Sequence, residues 1–113
     1  MITKNEEKYL EQCLNSVKDV ADEIIIVDTG STDKTKEIAK KFGAKIFDFK
    51  WIDDFSAARN ESIKHATKDW ILALDADEVI EKKNLSKIKN TIENPEDFVG
   101  FQLEQRSYLN NFF

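Results

Sequence analysis

Residues 23–33 read Glu-Ile-Ile-Ile-Val-Asp-Thr-Gly-Ser-Thr-Asp, and this stretch decides the fold. The β-branched run Ile24 to Val27 has no polar face, the pattern of a parallel strand covered on both sides. Asp28 ends the run, Thr29 to Asp33 forms a turn, and Ser31 to Asp33 supplies N-cap candidates for a helix reaching Phe42. Ile38, Ala39 and Phe42 are its expected buried stripe, and Gly43 stands where a C-terminal cap belongs. Upstream, Leu10, Cys13, Leu14 and Val17 repeat at helical spacing, predicting one amphipathic helix within Glu7 to Val20. Ile2 to Lys4 is the stump of a strand before it.

Downstream the alternation continues. Ala44 to Asp48 is a second short strand, and Phe49 to Phe55 an aromatic and acidic loop. A helix is expected from about Ser56 to Thr67, then a third apolar strand from Trp70 to Leu74, ending in Asp75-Ala76-Asp77-Glu78. A basic amphipathic helix with Leu85, Ile88 and Ile92 inward closes at Asn94-Pro95, and Phe98 to Leu109 has a strand-like pattern. Strand and helix in alternation mean right-handed crossovers and an α/β fold: three layers, Rossmann-like, with a mostly parallel sheet.

With 113 residues, the expectation is a single domain spanning 1–113. Lys and Arg number 17 against 22 Asp and Glu, a net charge of −5, which excludes a protein devoted to coating nucleic acid or an anionic membrane. A single cysteine excludes a disulfide framework and a cysteine-rich zinc site. No apolar stretch approaches the roughly 20 residues of a membrane span. The N-terminus does not read as a signal peptide, so the expected setting is cytoplasmic.

Chemistry is expected at the carboxyl ends of the strands, where open α/β sheets bind ligands near a topological switch point. Asp28 follows one strand and the Asp75-x-Asp77 pair follows another. Two carboxylates leaving one strand suit a hard cation such as Mg²⁺ or Mn²⁺, and such an ion neutralises a diphosphate that the acids alone repel. Strand-end aspartates also serve simply to cap turns. Here the Asp28-x-Gly30 turn at the neighbouring strand end favours the ligand reading. Other tempting residues have plainer roles. His65 reads as a surface or packing residue, Cys13 as a buried thiol, and Trp70 as core. Trp51 and Phe55 either line a substrate pocket or anchor their loop to the core, and Lys82, Lys83, Lys87 and Lys89 form a solvated helix face, with phosphate binding the second choice.

The ordered series Lys4-Asn5-Glu6-Glu7, Val27-Asp28-Thr29-Gly30-Ser31-Thr32-Asp33, Ala58-Arg59-Asn60 and Leu74-Asp75-Ala76-Asp77-Glu78 resembles the N-terminal half of a family 2 glycosyltransferase, over about Ile2 to Val79. The resemblance implies a truncated type A glycosyltransferase fold that binds a nucleotide-diphospho-sugar, with a UDP-sugar favoured, together with Mn²⁺ or Mg²⁺. It implies that Asn5 and Glu6 sit beside the nucleoside, that Asp28 binds base or ribose, and that Gly30 lets the backbone turn close to the ligand. Arg59 is implied near base and diphosphate, Asp75 at the ribose or metal shell, and Asp77 as the direct metal ligand. Thr29 stands where many members carry a second Asp. The family's second half ordinarily supplies the acceptor site and catalytic base. Its absence here makes the expectation a donor-binding fragment without turnover of its own, with no catalytic residue assigned. Glu78 has suitable chemistry for a base, but nothing places it opposite an anomeric carbon. A receiver-type phosphoacceptor domain is the alternative of another class, although no Lys closes a late apolar strand as it requires. A non-catalytic nucleotide-binding or assembly module is the third. Apolar residues at Phe98, Phe101, Leu103, Phe112 and Phe113, beside a sheet cut short, predict self-association.

Overall fold

The computed structural model describes residues 1–107. β1 (Ile2–Thr3), β2 (Ile25–Asp28) and β3 (Lys45–Asp48) form one parallel sheet in the order β1-β2-β3. Ile2 lies opposite Val27, and Val27 opposite Phe47. Helices α1 (Leu10–Val17) and α2 (Thr35–Lys41) are the two crossovers. α3 (Phe55–Lys64) and α4 (Lys82–Glu93) follow.

The alternation of a strand's side chains sorts the layers. Ile24, Ile26 and Ile46 join Leu10, Leu14, Ala39 and Phe42 in one core, so α1 and α2 cover that face. Phe47, one residue along, points the other way and stacks on His65 at the end of α3, with ring centroids 3.6 Å apart. Helices on both faces of a parallel sheet make the three-layer α/β arrangement that the alternation predicts. Leu10, Leu14, Ile26 and Val27 are fully buried. Each such side chain contributes about 1.5–3 kcal/mol.

The capping signals act locally. Gly43, at φ 72°, closes α2: its N–H donates to the Lys40 carbonyl at 3.0 Å and Ala44 N to the Ala39 carbonyl at 3.2 Å. These are the paired bonds of a Schellman stop, and the left-handed φ needs glycine. α3 starts at Asp54, whose carboxylate accepts from Ala57 N at 3.1 Å. At the opposite, N-terminal end of the strands, Glu23 accepts from Lys45 Nζ at 2.7 Å and from both Thr67 N and Thr67 Oγ1 at 2.9 Å. That clasp ties the starts of β2 and β3 to the segment after α3.

Four expectations need correction. Trp70–Leu74 forms no strand: Ile71 is 55% exposed and Leu72 38%. An apolar run becomes an interior strand only if both its faces are covered, and here the outer face has no cover. Trp70 is accordingly half-buried against Phe101 rather than core. α4 buries no residue, and Leu85, Ile88 and Ile92 are only half-covered. Phe98 to Ser107 contains no regular strand; Tyr108 and Leu109, with Phe112 and Phe113, lie outside the described residues.

Candidate functional site

The turns that follow β1 and β2 are built as a single piece. Asp28 is 1% exposed, and its carboxylate is filled from within the chain. Oδ1 accepts from Thr3 Oγ1 at 3.0 Å and Ser31 Oγ at 2.6 Å; Oδ2 accepts from Gly30 N at 3.1 Å and Ser31 N at 2.8 Å. Burial alone would raise its pKa, but the bonds from Ser31, Gly30 and Thr3 outweigh that and hold the carboxyl below the ordinary range. Gly30 has φ 113°, open to glycine alone, and nothing lies within 4 Å of where a Cβ would stand. That leaves clear space over the turn.

The β1 turn grips this one from the side. Asn5 takes the left-handed conformation (φ 51°) that asparagine tolerates. Its N–H donates to Ser31 Oγ at 2.8 Å, while its Oδ1 accepts from Thr32 N at 2.8 Å. Glu6 N donates to Thr35 Oγ1 at 2.8 Å, Glu7 N to Asp33 Oδ2 at 3.2 Å, and Lys34 N to Glu7 Oε2 at 3.1 Å. Thr3, Ser31, Thr35, Asp33 and Glu7 were not among the expected site residues, yet they fix the shape of the two turns.

The second acidic turn is different. Glu78 N donates to the Asp75 carbonyl at 3.0 Å and Glu78 Oε1 accepts from Asp75 N at 2.7 Å, closing the turn on itself. Ala76 is 3% exposed and joins the core, whereas Asp75 and Asp77 are exposed. Their carboxylates accept no hydrogen bond among the described residues. A cleft of about 150 Å³ lies beside β1, lined by Met1, Ile2, Arg59, Leu74 and Asp75 among others. α1 and α2 cover one face of the sheet and α3 the other, so the chain changes sides after β3. Crevices at such reversals are where open α/β sheets take ligands. Arg59, on α3, makes no ion pair among the described residues.

The two turns feel each other. Burial raises the Glu6 pKa first, and the negative charges of Asp77, Asp33 and Asp75 push it further. Concentrated negative charge of this kind suits a cation. No set of three His, Cys, Asp or Glu side chains converges on one point among the described residues. Asp75 and Asp77 still fit Mg²⁺ or Mn²⁺, which take one or two carboxylates and complete their shell with phosphate oxygens and water. Expected residues thus fall into two groups: Asn5, Glu6, Asp28 and Gly30 around the ends of β1 and β2, and Arg59 with Asp75 in the cleft. Asp77 connects them by charge.

The Glycosyl transferase family 2 model matches residues 1–113. The chain belongs to this family. The family 2 chain is 49% identical over 96 residues to a TPR repeat-containing protein of Synechococcus elongatus, covering 85% of this chain and 24% of that one. It is 48% identical over 90 residues to the prophage-derived glycosyltransferase SunS of Bacillus subtilis, covering 78% of this chain and 21% of SunS. It therefore spans about a quarter or less of the length of these relatives. Among solved structures it is similar to S. aureus TarS 1-349, with a TM-score of 0.70 and 29% identity, covering 82% of this chain and 31% of that one. The same TarS fragment has been solved in complex with UDP-GlcNAc, again at a TM-score of 0.70. The fold is that of the type A glycosyltransferases, seen in TarS. Family membership displaces the receiver-type reading.

Proposed function

We propose that this chain is the donor-binding part of a glycosyltransferase and takes a nucleoside-diphosphate sugar, a UDP-sugar by preference, together with Mn²⁺ or Mg²⁺. The observation that carries the proposal is the exposed pair Asp75 and Asp77, which accept from no donor among the described residues, with Asp75 sharing a cleft with Arg59. The likeness to TarS, solved with UDP and with UDP-GlcNAc, supports it.

In this reading Asn5 and Glu6 flank the nucleoside and Gly30 leaves room for it. Asp28 meets base or ribose by exchanging one of its internal donors. Arg59 faces the diphosphate, Asp75 the ribose or the metal shell, and Asp77 is the metal ligand. The ion, when bound, supplies Lewis-acid stabilisation of the departing nucleoside diphosphate. The chain's own groups bind and orient the donor. The proposed role is donor binding, so calorimetry is the test. UDP is titrated with and without Mn²⁺ into the chain and into Asp77→Ala. Metal-dependent binding that the variant loses is expected. Equal binding without metal overturns the role of Asp77, and no binding to a folded chain overturns the donor-site reading.

The self-association expected from the sequence is also carried forward as a proposal. Phe98, Val99, Phe101 and Leu103 are 45–100% exposed, which supports it. Sedimentation at rising concentration should show a species larger than the monomer; a clean monomer removes the idea. No helix among the described residues is long and apolar enough to cross a membrane.

A further inference from the structure

α1 touches the acidic turn with two side chains that the donor-site reading does not use. Cys13 and Ser16 are three residues apart on the helix and so share a face. Cys13 Sγ donates to the Asp75 carbonyl at 3.4 Å. Ser16 Oγ accepts from Ile80 N at 3.1 Å and sends its own proton to the Cys13 carbonyl at 2.6 Å. Between these points Ala76 is packed in the core with Leu10 and Leu14. The helix thus holds the start, the middle and the end of residues 75–80 while leaving both carboxylates outside.

The same helix is tied to the other turn. The Glu6 carbonyl accepts from Tyr9 N at 3.1 Å and from Leu10 N at 2.9 Å, so the Asn5–Glu6 turn runs directly into α1. One rigid element therefore carries both halves of the site. A carboxylate pair with no donors of its own depends on its backbone for position, and a displacement of about 1 Å at a binding site has large effects. The geometry points to Ser16 and Cys13 as positioning residues that set the acidic turn against the β1 turn for a metal-bound diphosphate. This rests on the donor-site reading above.

The test compares the full chain with Ser16→Ala and Ser16→Thr, by amide hydrogen exchange and by UDP titration with and without Mn²⁺. Ser16→Ala should speed exchange in residues 75–80 while leaving β1 to β3 unchanged. The gain in UDP affinity from Mn²⁺ should fall about 2- to 10-fold, the scale of one hydrogen bond, with metal-free affinity unchanged. Ser16→Thr keeps the hydroxyl and should restore both. Unchanged exchange, or an intact Mn²⁺ gain in Ser16→Ala, overturns the positioning role alone. Faster exchange throughout the sheet, or equal loss of metal-free affinity, also overturns it by showing a merely structural role. A wild-type chain that binds UDP with no Mn²⁺ gain overturns the metal role of Asp77 and the positioning role together, and a folded wild-type chain with no UDP binding overturns the donor-site reading. Should Ser16→Ala fail to fold, Cys13→Ala and Cys13→Ser give the same contrast: serine retains the donor and should keep the gain, and identical behaviour of the pair overturns the proposal.

Discussion

The turn after β2 and the turn at Asp75 both present aspartate at the carboxyl side of the molecule, with opposite arrangements. Asp28 is buried and accepts from Thr3, Gly30 and Ser31; Asp75 and Asp77 are exposed and accept from nothing among the described residues. A buried carboxylate supplied with internal donors holds a shape. An exposed one held only through its backbone keeps its lone pairs for something else. Aspartate in a turn is therefore two different devices, distinguished by the donors around it.

Substituting each in turn breaks the comparison most directly. Asp28→Ala leaves the Ser31, Gly30 and Thr3 donors unmatched and should cost about 2–4 kcal/mol in urea unfolding. Asp77→Ala should stay within about 0.5 kcal/mol by the same measurement while removing metal-dependent nucleotide binding. Ser31→Ala is intermediate. It deletes the Asp28 bond and the acceptor for Asn5 N together, and should cost about 1–2 kcal/mol.

Acid sharpens the contrast. Asp28 has a folded pKa below its unfolded value, so its contribution is complete above the ordinary carboxyl range and fades as pH falls through the folded value. Glu23 follows the same sign: bonds from Lys45 and Thr67 hold it at about 2, against 4.5. Its stabilisation is present above pH 4.5 and is lost as pH falls toward about 2. Unfolding measured across this range should show a shallower acid limb for Asp28→Asn and for Glu23→Gln than for the parent. Glu6 has the opposite sign, since a raised carboxyl pKa means ionisation opposes folding as pH rises through it. The smallest effect follows: Asp77→Asn removes one of the charges and should lower the Glu6 pKa in a carboxyl-detected NMR titration. It should stay above the ordinary value because burial is the leading cause.

Much of the first half of the chain was legible because its signals are local. The Ile24–Val27 run, the α1 stripe and Gly43 each act within a turn or two of themselves, and each stands where its pattern places it. Trp70–Leu74 misled because an apolar run reports what it needs, not whether a partner exists to cover it. The hydroxyls of Thr3, Ser31 and Thr35 went unread for a different reason. Their partners lie 25 to 29 residues away for Thr3 to Asp28, Asn5 to Ser31 and Glu6 to Thr35, and are set by the parallel register. The acids and Arg59 were legible as chemistry, but the division between inward and outward carboxylates required the donors to be seen.

The two turns bonded side by side also form a unit of inheritance. Asn5 and Ser31 are 26 residues apart, yet changing Ser31 removes the acceptor of the Asn5 N–H, and changing Asn5 removes the acceptor of the Thr32 N–H. Drift at residues 3–7 must be answered at residues 28–35, so the pair should travel through descendants of this sequence as one module. Anyone transplanting this pair of turns into another scaffold has to move both pieces at once.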